Sequence, residues 1–129
     1  MLIIPEGQGR EGALREMHEM SIAISIVELA EREARLAGAR RIRLVEVEVG
    51  ALAGVMSDAL RFCFAAACRE TLADGAELRV VEVAGRGVCA SCRRSGAMAE
   101  AMALCPVCGG IMRASGGREL RLAAIEVDD

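Results

Sequence analysis

The chain has 129 residues, a formal charge of −3 and a pI near 5.3. That acidic balance argues against a general nucleic-acid binder, whose affinity comes from cations laid on phosphates, and there is no run of about 18 apolar residues to cross a membrane. Hydrophobic residues make up 53% but aromatics only 2%, with no Trp or Tyr, so the core has to be built from Ala, Val, Leu, Ile and Met.

Residues 1–16 hold three glycines, a proline, scattered charges and no apolar period, which predicts a flexible N-terminal extension. They lack the basic-then-apolar order of a secretory signal. A cytoplasmic chain with reduced thiols is therefore expected, and its six cysteines read as metal ligands or buried thiols rather than disulfides.

Ser21 to Ala37 reads as a helix, because Ile22, Ala23, Ile26, Val27, Leu29, Ala30 and Ala34 recur at three- and four-residue spacing and Gly38 suits its C-terminal cap. Residues 41–49 alternate polar and apolar as a strand, with one phase slip at Leu44–Val45, and Gly50 ends it. Ser57 is placed to cap a second helix running to about Ala73. Residues 77–83 and 119–127 are two further strands, with slips at Val80–Val81 and Ala123–Ala124. Such slips mean either bulges or a sheet covered on both faces.

Between those last two strands lies a different segment, 85–117, rich in glycine and cysteine and poor in periodicity. A stretch of this kind cannot make its own core and needs a staple. The staple is legible. Cys89-Ala-Ser-Cys92 and Cys105-Pro-Val-Cys108 are two CxxC pairs with 12 residues between them. Each pair lets one tight turn present two sulfurs to a tetrahedral ion, and the intervening loop lets the second pair close the tetrahedron, so the four read as ligands of a structural zinc. Arg93 follows the first pair where Gly109 follows the second. Cys63 and Cys68 lie five apart on the second helix and read as small buried apolar residues.

The only histidine, His18, stands in Met17-His18-Glu19-Met20-Ser21. Spacing alone reads it as an exposed or capping histidine. The alternative is a ligand: were Met17 the first residue, its amine, the His18 amide and the His18 imidazole would form fused chelate rings, a nitrogen set that suits square-planar Ni(II) or Cu(II), with Glu19 adjacent.

Taken together, Met17-His18-Glu19-Met20-Ser21, the helix with Leu60 and Phe62, Gly75-Ala76-Glu77-Leu78, the two CxxC pairs, Cys105-Pro106-Val107-Cys108-Gly109 and the closing Gly117-Arg118-Glu119-Leu120 with Ile125-Glu126-Val127 resemble the HypA/HybF nickel-insertion proteins of hydrogenase maturation over residues 17–127. The resemblance implies a nickel metallochaperone and not an enzyme. It implies Ni(II) as cargo on His18 and Glu19 with Met17, and structural Zn(II) on Cys89, Cys92, Cys105 and Cys108. It also implies work with the HypB GTPase and the [NiFe]-hydrogenase large-subunit precursor, sometimes service to urease maturation, and no nucleic acid or membrane partner; a homodimer is left open. This chain departs from the family pattern in the 16 residues before Met17, in Arg93 where glycine is usual, and in Met56 where an acidic residue is frequent.

The expected fold is α+β: two helices on a three-stranded sheet with a zinc-ribbon-like insert. Residues 1–16 form the extension, 17–84 and 118–129 the nickel-binding domain, and 85–117 the zinc-binding domain. The rival reading is a zinc-ribbon module that binds nucleic acid or a protein complex, favoured by Arg86, Arg93, Arg94, Arg113 and Arg118 around the insert but not by its lack of any aromatic residue to stack on bases.

Overall fold

A computed structural model of the chain describes residues 1–4 and 19–128. In chain order the elements are β1 (Leu2–Ile3), α1 (Glu19–Leu36), β2 (Arg41–Gly50), α2 (Ser57–Ala67), β3 (Glu77–Val83), β4 (Arg86–Cys89), β5 (Ser95–Ala97), β6 (Ala103–Leu104), β7 (Ile111–Gly116) and β8 (Leu120–Asp128). They form a mixed α+β architecture with two four-stranded sheets, ordered β1-β8-β2-β3 and β5-β4-β7-β6. No helix among the described residues is long and apolar enough to cross a membrane.

In the first sheet β2 and β3 run parallel, with α2 as the crossover between them, and β8 returns antiparallel against β2. Both helices pack on one face. From α1 the buried side chains are Ile22, Ala23, Ile26, Val27, Leu29, Ala30 and Ala34, and from α2 they are Leu60 and Phe64. They meet Ile42, Val45, Val47 and Val49 of β2, Leu78 of β3 and Leu120, Leu122 and Ile125 of β8 in one continuous core. With aromatics almost absent, Ala, Val, Ile and Leu side chains fill most of this layer, joined by Phe64.

The phase slips now have causes. On β2, Ile42 pairs with Val127 and Leu44 with Glu126, so Arg43 is an extra, unpaired residue; on β8, Ala123 is extra in the same way. Each is a bulge that returns the next apolar residue to the helix face. Strand β3 has no bulge: it is an edge strand with Leu78 buried, and its slip simply leaves Val81 exposed.

Two expectations need correction. The main sheet has four strands, not three, because Leu2–Ile3 pairs antiparallel with Ile125 and Ala124 of β8. Residues 2–4 therefore depart from the structureless tail expected over 1–16; Ile4 is buried in the core and Leu2 packs against it. The signal was a four-residue apolar run, Met1 to Ile4, too short to show a period. Second, α2 ends at Ala67 rather than near Ala73. Glu70 adopts φ +62°, and the Thr71 hydroxyl donates to the Cys68 carbonyl and accepts from Ala73 N–H, so local side-chain bonds outcompete the next helical turn. At the start of α2 the capping position is Met56, with no side-chain cap, and Ser57 is the first helical residue. Gly38 does close α1, at φ +73° with its N–H bonded to the Arg35 carbonyl.

The insert is more ordered than its composition suggests. Strands β4 to β7 form a compact sheet over a small core of Cys89, Met98, Cys105 and Met112, against which Leu52 packs from the β2–α2 loop. The two sheets join where three glycines meet. A Cβ on Gly50 would fall 2.0 Å from the Gly117 carbonyl oxygen, one on Gly117 would fall 2.5 Å from the Gly85 Cα, and one on Gly85 would fall 2.2 Å from the Met98 carbonyl oxygen. Across this junction Leu52 N–H donates to the Gly117 carbonyl and Met98 N–H to the Gly85 carbonyl.

Candidate metal centre

The insert folds so that both CxxC turns converge. The Sγ atoms of Cys89, Cys92, Cys105 and Cys108 all lie within 4.8 Å of one another, with Cys89–Cys108 at 3.4 Å and Cys92–Cys105 at 3.8 Å. The turns share one backbone pattern. Arg93 N–H donates to the Cys89 carbonyl and Gly109 N–H to the Cys105 carbonyl, both at 2.9 Å, while the N–H groups of Cys89 and Cys105 donate to the carbonyls of Arg94 and Gly110. Cys89 and Cys105 are buried; Cys92 and Cys108 face solvent.

Backbone N–H groups are aimed at the sulfurs. Those of Cys92 and Ser91 point at Cys89 Sγ, and that of Gly110 at Cys108 Sγ, each at 3.4 Å. The Cys92 N–H is the main reason the Cys89 thiol is pulled down to about 6. Cys105 is lowered chiefly by the N–H groups of Cys108 and Val107. Cys108 goes the other way, up to about 11: the Gly110 N–H lowers it, but the neighbouring sulfurs of Cys89, Cys92 and Cys105 together with burial outweigh that pull. Four anions this close cannot all ionise without a cation between them, which is what a divalent metal supplies. A thiolate held below its ordinary value contributes stability that is fully present above that value and lost as pH falls through the depressed one. In the metal-free site Cys89 takes up a proton below about 6, so apparent metal affinity, measured by competition with a chelator, is expected to fall more steeply once pH drops below about 6.

The turns differ in one residue. Gly109 takes φ +76° and Arg93 takes φ +63°. Left-handed backbone costs an L-residue about 1–2 kcal/mol, part of which glycine gives back in chain entropy. Arg93→Gly is therefore expected to stabilise the insert by about 1 kcal/mol or less, read as slower metal release to a chelator at fixed pH.

The other cysteines behave as the sequence suggests. Cys63 is half-buried against the main core and Cys68 is buried, its thiol pushed up to about 11 by burial first, then by Asp74 and Glu31. Such a thiol stays protonated and unreactive.

In the main domain, Glu19 opens α1 beside the start of α2. Its carboxylate accepts from the Met56 N–H at 3.5 Å, and Asp58 lies exposed on the first turn of α2. Both carboxylates stand at the positive end of a helix. Met17 and His18 lie outside the described residues. Sequence reasoning missed the residues that join the two sheets: Leu52, whose only signal was an apolar side chain in a small-residue loop, and Gly50, Gly85 and Gly117, whose roles depend on distant segments meeting.

Comparison with known proteins covers most of the chain. The family described as "Hydrogenase/urease nickel incorporation, metallochaperone, hypA" matches residues 17–127. A hydrogenase maturation factor HypA from Geobacter metallireducens is 45% identical over 113 residues, covering 87% of this chain and 100% of that protein. The corresponding factor from Alkalilimnicola ehrlichii is 44% identical over the same length. In fold, the chain is similar to the solution structure of the Ni metallochaperone HypA from Helicobacter pylori, with TM-score 0.64 and 24% identity over 87% of this chain and 98% of that one. Carrying the matched segment over nearly its whole length, the chain belongs to the HypA family of hydrogenase/urease nickel-incorporation metallochaperones.

Proposed function

We propose that this chain binds Ni(II) through Met17-His18-Glu19 and delivers it to the [NiFe]-hydrogenase large-subunit precursor in the cytoplasm, while Cys89, Cys92, Cys105 and Cys108 hold a structural Zn(II). The observation that carries the zinc half is the sulfur geometry. A tetrahedron with arms of about 2.3 Å has edges of about 3.8 Å; two of the six sulfur pairs stand at 3.4 and 3.8 Å, and all six lie within 4.8 Å. The site has no spare donor and no open position among the described residues, which suits a structural ion rather than a transferable one.

The nickel half rests on family membership and on residue chemistry. An imidazole with backbone nitrogens fits Ni(II), whereas four thiolates favour zinc. The division of labour follows: residues 17–84 and 118–129 carry the cargo, and 85–117 carry the zinc. HypB and, in some settings, urease maturation proteins are the proposed partners. Against the rival nucleic-acid reading stands the insert's surface, which offers arginines but no aromatic platform.

The test uses two forms of the protein. A chain starting at Met17 has a free amine next to His18; in the 129-residue chain that nitrogen is a peptide nitrogen. Nickel titration is expected to show tighter binding by the shorter form, and His18→Ala should abolish the difference. Equal affinity in all three would remove the chelate argument.

A further inference from the structure

The family match begins at residue 17, and the alignment to the Geobacter metallireducens relative uses the whole of that protein but only 87% of this chain. Residues 1–4 therefore lie outside the common segment, yet they are built into the main sheet. Leu2 and Ile3 pair antiparallel with Ile125 and Ala124, and Ile4 N–H donates to the Ala123 carbonyl at 2.7 Å. Their side chains alternate as a strand requires: Leu2 and Ile4 face the core, Ile3 faces solvent. Pro5 follows and cannot donate a further ladder bond.

A second, independent feature points at the same place. Arg121 is the only buried charged residue among the described residues, at 6% exposure. It stands on β8 directly opposite Glu48 of β2, and its guanidinium donates to the Glu48 carboxylate on one side and to the Ile4 carbonyl on the other. A guanidinium is withdrawn from water only where its donors are met. One of those acceptors is the backbone of the extension, a group that any extended segment in this register would offer.

We propose that the outer edge of β8, with Arg121 as its latch, is a strand-binding site for a short extended apolar segment, and that residues 2–4 occupy it in cis. The occupant needs two branched or long apolar side chains at alternate positions and a carbonyl opposite Arg121. The ladder bonds hold backbone, the two core-facing positions choose the side chains, and Arg121 fixes the register. By occupying the site the extension closes an edge that would otherwise be open to strand pairing from outside. This inference does not depend on which metal either site holds.

Amide hydrogen exchange on the zinc-loaded protein tests it, following Ala123, Ala124 and Ile125 in chains 1–129 and 17–129 and in full-length Ile4→Asp. Exchange at the amides facing β1 is expected to be at least tenfold faster in the truncated chain and in Ile4→Asp than in the full chain. A synthetic peptide of residues 1–6, added to the truncated chain at millimolar concentration to match the tethered strand, should restore protection saturably, and a scrambled peptide should not. Arg121→Met should speed exchange in the full chain and make no further difference in the truncated one. Equal protection in 1–129 and 17–129, or no rescue by the peptide, overturns the proposal.

Discussion

Replacing Cys105 with alanine is expected to remove one metal ion per chain and to unfold residues 86–116 while the helix-bearing sheet stays native. The argument is one of proportion. Fixing backbone costs about 1–2 kcal/mol per residue, and the insert's buried side chains are only Cys89, Met98, Cys105 and Met112, two of them ligands. A core that small cannot offset the ordering of four short strands, so the metal has to, and structural zinc contributes on the order of 10 kcal/mol in small domains. Cys105 is the sharpest choice because it is a buried ligand at the centre of the insert's small core, so its loss opens that core as well as leaving the metal without a ligand. The main core shares no buried residue with the insert's, so the loss should stay local. Metal analysis with residue-resolved amide exchange checks it. Full metal content with native exchange in Cys105→Ala would contradict the stapled-insert account.

Gly50→Ala is the second large effect, and it acts with no metal ligand touched. The new Cβ would lie 2.0 Å from the Gly117 carbonyl oxygen, 2.2 Å from its carbon and 2.7 Å from Arg118 N, all backbone atoms that no side-chain rotation can clear. The Gly50 N–H meanwhile donates to the Glu119 carbonyl at 2.6 Å, which pins the two segments face to face. Relief requires the start of β8 to move away from the end of β2, breaking that bond and the Leu52-to-Gly117 bond with it. A cost of about 3 kcal/mol is expected from overpacking of this kind. It should appear as a lowered denaturation midpoint and faster exchange at residues 50–52 and 117–120, with the metal retained. An unchanged midpoint would mean the junction yields more easily than its backbone contacts imply.

What was legible in the sequence divides along physical lines. Helix α1 and strands β2, β3 and β8 announced themselves because each is seven or more residues long and keeps its apolar period, in the strands on either side of a single slip. The thiol cluster was legible because metal spacing is local: two ligands per turn, whatever surrounds them. The end of α2 was not, because apolar periodicity continues past Ala67 and the interruption comes from Thr71 and Asp74 bonding to nearby backbone. Strand β1 was not, because two residues carry no period and its stability is borrowed from β8 and Arg121. Arg93 lay between: its departure from glycine was visible, and the left-handed backbone it adopts follows from the turn it shares with Gly109. The junction glycines could be counted but not assigned, since a close approach between Gly50, Gly85 and Gly117 depends on how three distant segments cross.

The central claim is that one chain holds two metals by two chemistries, zinc on the four thiolates and nickel on the segment that contains His18. Native mass spectrometry of the protein loaded with both metals tests it most directly, applied to the unaltered chain, His18→Ala and Cys105→Ala. The account predicts one zinc and one nickel on the unaltered chain, zinc alone on His18→Ala, and nickel without zinc on Cys105→Ala. Nickel retained in full by His18→Ala, or lost together with zinc from Cys105→Ala, would contradict it.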